Sequence, residues 1–104
     1  MDLSFLIPGK IRRQVLQYFV ENPDVQVHIR GLARELGASP QQIYQELLNM
    51  EGWGLLFSSS QGNQRVFRVN KKFPLLPPIE DLFRSLKEEN SRSYDIVQTF
   101  DLKE

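Results

Sequence analysis

Between Ser39 and Met50 the chain carries Gln41, Gln42, Tyr44, Gln45 and Asn49, no Lys or Arg, and a single acid, Glu46. Amide and phenol groups of this kind exchange hydrogen bonds with a polar surface rather than supply a nucleophile. The residues that covalent or acid–base catalysis needs are scarce elsewhere too. The 104 residues include one His, His28, and no Cys, so no nucleophile–base pair presents itself. Glu88 and Glu89 are neighbours in a charged stretch, not a spaced acid and base. No Gly-rich phosphate loop occurs, and without Cys or clustered His no metal site is expected. The expectation is a protein that is not an enzyme and uses no cofactor and no metal.

The elements that must position these side chains are legible from periodicity and punctuation. Ile11, Val15, Leu16, Phe19 and Val20 repeat at helical spacing after a Pro-Gly signal and before "ENP", which predicts a first helix over about 9–21. Lys10, Arg12 and Arg13 sit at its N-terminal end, the unfavourable end for a cation in the helix dipole, so something else must favour them there. "DVQVHI" alternates and predicts a short strand. A second helix, about 29–36, buries Ile29, Leu32, Ala33 and Leu36. Gly37 closes it with a positive φ, Ser39 caps the next helix and Pro40 occupies its first position. That third helix, about 40–51, turns Ile43, Leu47 and Met50 inward and leaves the polar set on its other faces. Gly52 and Gly54 break it.

Two strands, "LLFSSS" and "QRVFRVN", flank "QGN" and predict a hairpin with one buried face. Pro77 and Pro78 open a last helix, about 77–88, with the stripe Ile79, Leu82, Phe83 and Leu86. "KEENSRS" is polar and reads as a frayed end or turn, and "YDIVQTFDL" reads equally as helix or strand.

Length and composition fit one globular domain: 104 residues, 40% hydrophobic and 25% charged. No apolar run approaches the roughly 20 residues of a membrane helix, and "MDLSFLIPGK" lacks the basic start of a signal peptide. A cytoplasmic location is expected, which the absence of Cys permits. The formal net charge of zero hides an asymmetry. Lys10 to Lys72 holds nine basic and five acidic residues, a balance of +4, whereas Phe73 to Glu104 holds four basic and seven acidic, a balance of −3.

The order helix, strand, helix, helix, strand, strand, helix, together with "IRGLARELGASPQQIYQELLNMEGWGLL" and "GNQRVFRVN", resembles the small prokaryotic winged helix-turn-helix regulators of the ArsR-like and MarR-like kind. The resemblance implies a mainly α fold with a β-hairpin wing, built as a three-helix core, the wing and an additional C-terminal helix. Residues 1–89 would form this domain and 90–104 a C-terminal tail. It implies double-stranded DNA as partner, and a transcriptional regulator whose third helix lies in the major groove, with the wing, about 58–66, on the backbone or minor groove. Ser39, Gln41, Gln42, Tyr44, Gln45 and Asn49 would then face DNA, along with Pro40. Gln and Asn pair bidentately with adenine N6 and N7, at about 1–3 kcal/mol of discrimination per good pair. An uncharged helix is therefore compatible with base reading.

Affinity comes largely from phosphate contacts, which falls to Arg30, Arg34 and Arg65, with Arg68, Lys10, Arg12 and Arg13 as further candidates. Dimerisation through Ile79, Leu82, Phe83 and Leu86 would give a homodimer. The rival reading is a winged-helix module that docks a protein partner through the same uncharged helix face or the last helix, without binding DNA.

Four remaining features have plainer expectations. His28 begins the second helix and suits a capping or packing role. Trp53 suits a core anchor between the third helix and the hairpin. Lys71 and Lys72 suit a solvated turn. Metal sensing, as in ArsR-like relatives, lacks its ligands.

Overall fold

The tight link between the second and third helices is fixed by backbone chemistry at two residues. Gly37 sits at φ 66° and ψ 35°, the left-handed region, and ends the preceding helix. Ser39 Oγ then accepts from the N–H of Gln42 at 3.2 Å and starts the next, with Pro40 at its first position. A computed structural model describes residues 3–91, apart from the side chains of Phe5 and 88–91. The expectations for 92–104, including "YDIVQTFDL", lie outside the described residues.

After a 3-10 turn at Leu3–Phe5, the elements are α1 (Lys10–Glu21), β1 (Val27–His28), α2 (Ile29–Leu36), α3 (Pro40–Trp53), β2 (Leu56–Gln61), β3 (Gln64–Val69) and α4 (Leu76–Ser91). The three strands form one antiparallel sheet in the order β1-β3-β2. β2 and β3 pair Leu56 with Val69, Ser58 with Phe67 and Ser60 with Arg65, around a turn in which Gly62 takes φ 63°. Helix α1 contributes Val15, Leu16 and Phe19 to the core, α2 Leu32 and Ala33, and α3 Ile43, Leu47 and Met50. Leu55, Leu56, Phe67 and Val69 close it from the sheet side, and Leu76 and Phe83 from α4.

Four expectations need correction. Gly52 lies inside α3, which runs to Trp53; Gly54 at φ 91° ends it. The first strand is only two residues long, because Ile29 already belongs to α2 and Val25 packs on the core from the preceding loop. Val66 is buried as well as Phe67, although they point to opposite faces. β3 is the central strand, so its neighbours on both sides cover a small side chain on the outer face. Helix α4 continues through "KEENS" to Ser91, a stretch that opens with the good helix formers Lys and Glu and has no Gly or Pro to stop it. Pro77 and Pro78 fall in its first turn, where a missing N–H costs no hydrogen bond.

Two glycines should respond oppositely to an added methyl group. A Cβ at Gly37 or at Gly31 meets no atom within 4 Å, so neither change creates a clash. Gly37→Ala forces a side chain into the left-handed region and should cost about 1–2 kcal/mol. Gly31→Ala, inside α2 with no positive φ, should gain about 0.5–1 kcal/mol. Urea titration followed by circular dichroism checks both signs.

Candidate nucleic-acid interface

Helix α3 carries two carboxylates, and each is met by an arginine from a different element. On one side Arg12 of α1 grips Glu46 with two nitrogens, Nε to Oε2 and Nη2 to Oε1, both at 3.0 Å. The Glu46 side chain is only 14% exposed, so an unpaired charge there would be costly. Asn49 Nδ2 donates to the same carboxylate at 3.1 Å, and Gln45 Nε2 donates to Asn49 Oδ1 at 3.3 Å. The hydrogen bond to Glu46 holds the Arg12 pKa above its already high ordinary value, against the opposing effect of burial. The other face of the Arg12 guanidinium lies 5.1 Å from the Trp53 ring centroid.

This arrangement explains the cations at the unfavourable end of α1. Arg12 is there for Glu46, and Arg13 donates from Nη1 to the carbonyl of Ile7 at 2.7 Å. It also corrects the expectation for Trp53, which is 47% exposed and stacks on Arg12 instead of anchoring the core.

On the other side, the hairpin supplies Arg65. Its Nη2 donates to Glu51 Oε1 at 2.7 Å, its Nε to Ser58 Oγ at 3.1 Å and its Nη1 to the Tyr44 hydroxyl at 3.4 Å. Ser58 Oγ in turn donates to Glu51 Oε2. Between these two arginine–glutamate pairs, α3 presents Gln41, Tyr44 and Gln45, all exposed, with Leu48 and Asn49 half-buried.

The polar side chains of α3 are not equally free. Ser39 Oγ donates to Gln42 Oε1 at 3.2 Å, so Gln42 folds back on its own cap. Gln45 and Asn49 bond each other. Gln41 has no side-chain hydrogen bond among the described residues.

The basic residues divide in the same way. Arg30 and Arg34 are exposed, one turn apart on α2, and form no ion pair among the described residues. Arg68 lies over the exposed Phe57 ring, 5.8 Å from its centroid, on the face of the sheet away from α3. Lys71 and Lys72 lie exposed in a turn, as expected, and Lys71 pairs there with the exposed Asp24.

An open cleft of about 420 Å³ is lined by His28, Ile29, Arg30, Pro40, Asn63, Gln64 and Arg65. It brings together the starts of α2 and α3, the hairpin turn and two arginines. His28 occupies the N-cap position of α2 in extended geometry, yet its side chain makes no capping bond. The first N–H groups of α2 therefore have no side-chain acceptor from the cap. Among the described residues no group of three or more His, Cys, Asp or Glu could hold a metal ion. No helix there is long and apolar enough to cross a membrane.

On α4 the apolar stripe divides. Phe83 is buried in the domain's own core, with Ile79 and Leu86 packed against it, while Leu82 stays 36% exposed.

No family model and no curated protein matches the sequence. Solved structures do match. The AntR antimony-specific transcriptional repressor superposes with a TM-score of 0.66 at 20% identity, covering 86% of this chain and 78% of that one. A possible transcriptional regulator from Methanosarcina mazei gives 0.63 at 14% identity, covering 89% and 82%. A MepR mutant from S. aureus, bound to an oligodeoxyribonucleotide, gives 0.62 at 11% identity, covering 98% and 84%.

The fold is a winged helix. In its terms α2 and α3 are the helix-turn-helix and the β2–β3 hairpin is the wing. At these identities the likeness is one of architecture, and the side chains of α3 are this chain's own.

What sequence reasoning missed in this winged helix is the pairing: Glu46 with Arg12, and Glu51 with Arg65 and Ser58. The misplaced cations of α1 were the available signal. Removing one partner should be asymmetric in its cost. Arg12→Ala strands a largely buried carboxylate and should destabilise by about 1–3 kcal/mol. Glu46→Gln leaves Arg12 against Trp53 and 34% exposed, and should cost less. Denaturant midpoints of the two variants and of the double variant check this ordering.

Proposed function

We propose that this chain is a sequence-specific double-stranded DNA-binding protein that regulates transcription. The observation that carries the reading is the neutralised face of α3. Both of its carboxylates are tied to arginines, which leaves a hydrogen-bonding surface without net charge between them. Such a surface can enter a major groove without repelling the phosphates on either side.

In this reading α3, residues 40–53, lies in the major groove, with Gln41, Tyr44, Gln45 and Asn49 toward base edges. Ser39 and Gln42 meet DNA at its N-terminal end. The wing, about 58–66, lies along the backbone or the minor groove. Arg30 and Arg34 supply phosphate contacts, and Arg65 borders the same cleft. The free N–H groups at the start of α2 add a further phosphate donor. The oligodeoxyribonucleotide in the MepR structure supports DNA as the partner of the fold. The antimony in the AntR name does not transfer on chemistry, because this chain has no Cys to offer a thiolate.

We propose also that two copies pair through α4. Phe83 is spent on the domain's own core, with Ile79 and Leu86 beside it, so Leu82 is the residue of the stripe left to face a second copy. Leu82→Glu should convert a dimer to a monomer in sedimentation velocity, with an unchanged circular dichroism spectrum.

Binding to mixed-sequence duplex DNA, followed by fluorescence anisotropy across a salt series, tests the main reading. With about 3–5 phosphate contacts per subunit, a dimer should show a slope of log K against log salt of about −5 to −9. Arg30→Ala should make that slope shallower by about 1 per subunit. No binding at low salt sinks the proposal, and α3 would then be a protein-docking surface.

A further inference from the structure

Arg65 is tied to three side chains. Three of its five N–H donors are taken by acceptors on two elements: Glu51 and Tyr44 on α3, and Ser58 on the neighbouring strand. One face of its guanidinium lies 5.2 Å from the centroid of Phe67, which is fully buried. Ser58 donates to the second oxygen of Glu51, so the acceptors are themselves linked. Two of the three bonds, to Glu51 and Ser58, draw the guanidinium back toward the domain.

Its outermost partner is Tyr44, 38% exposed in the middle of the polar face of α3. The Tyr44 oxygen accepts from Arg65, so its own proton points away from the guanidinium. The Tyr44 hydroxyl is thereby oriented as a donor. A cytosine edge in the major groove offers only a donor, its N4 amino group, which would find the in-plane acceptor site of the phenol oxygen taken by Arg65 and only the ring-delocalised lone pair left. Guanine N7 and O6 and thymine O4 offer acceptors, and adenine offers one, N7, beside its own N6 donor.

We infer that Glu51, Ser58 and Arg65 form a strut that fixes Tyr44 as a hydrogen-bond donor, making Tyr44 a specificity-determining residue that rejects cytosine at the base it faces and Arg65 its positioning residue. This rests on the DNA-binding reading and adds to it the identity of one disfavoured base. It also makes a lysine at position 65 inadequate. One ammonium keeps the charge but cannot fork to three acceptors in a plane.

The test is selection from a randomised duplex pool by the full chain, with base preferences read by sequencing, and anisotropy on mixed-sequence DNA in parallel. Wild type should disfavour cytosine at one position of each half-site. Tyr44→Phe, an exposed change that removes one oxygen, should relax that position alone, by about three- to tenfold. Arg65→Lys, which keeps the charge but loses the planar fork, should relax the same position. The double variant should relax it no further than either single variant, because both act through one contact. Thermal melts confirm that each variant is folded, and the Tyr44→Phe arm alone remains decisive should Arg65→Lys unfold.

Multiplicative effects in the double variant overturn the strut. So does a Tyr44→Phe protein that keeps the wild-type preference. Wild-type base preferences in a folded Arg65→Lys variant overturn the positioning role of Arg65. Wild type that binds no duplex at low salt overturns both this inference and the reading beneath it, whereas binding with no Tyr44-dependent position overturns the inference alone.

Discussion

Helix α3 has to satisfy two demands that conflict. It packs into the core through Ile43, Leu47 and Met50, and it carries Glu46 and Glu51 beside the face that stays exposed. A carboxylate left alone there would be partly desolvated by the domain and would repel any anion brought against the helix. The arginine–glutamate pairs resolve this. They also make α3 the hub of the molecule, because Arg12 comes from α1 and Arg65 from the wing. Each pair is only partly buried, so neither is a large source of stability. Their effect is to fix where α1 and the wing sit relative to α3 and to erase its charge.

The same two contacts account for the division of labour among the cations. Arg12 and Arg65 are committed to carboxylates, and Arg13 to a backbone carbonyl. Arg30 and Arg34 on α2 are not committed to any acid among the described residues. A basic surface with zero net charge in the sequence therefore arises by position. The acids near α3 are cancelled locally, and of the two uncommitted arginines Arg30 stands at the edge of the cleft between the helix starts and the wing turn.

The backbone of this account was legible in the sequence, because it rests on local chemistry. Gly37, Ser39 and Pro40 announce a tight link between two helices, and the inward stripe of α3 follows its period. The hairpin followed from "QGN" between two apolar runs. Features that depend on residues far apart in sequence were not legible. Arg12 and Glu46 are 34 positions apart, and no local pattern marks them as partners. Trp53 looked like core because a large apolar ring usually is, yet here it covers a guanidinium at the surface. The end of α3 was misplaced by two residues for a similar reason. Gly52 is a poor helix former, but the packing of Met50 and the cap at Gly54 carry the helix past it.

The central claim is that the neutralised face of α3 and the cleft beside it are where duplex DNA docks. Titrating a mixed-sequence duplex into the isotopically labelled protein, and following backbone amides by NMR, tests this most directly. The account places the perturbed amides at Gln41–Asn49, at the first turn of α2 and at Gly62–Arg65, with α4 and the outer face around Phe57 and Arg68 unmoved. Perturbations confined to α4 or to that outer face, or none at all at low salt, would contradict it.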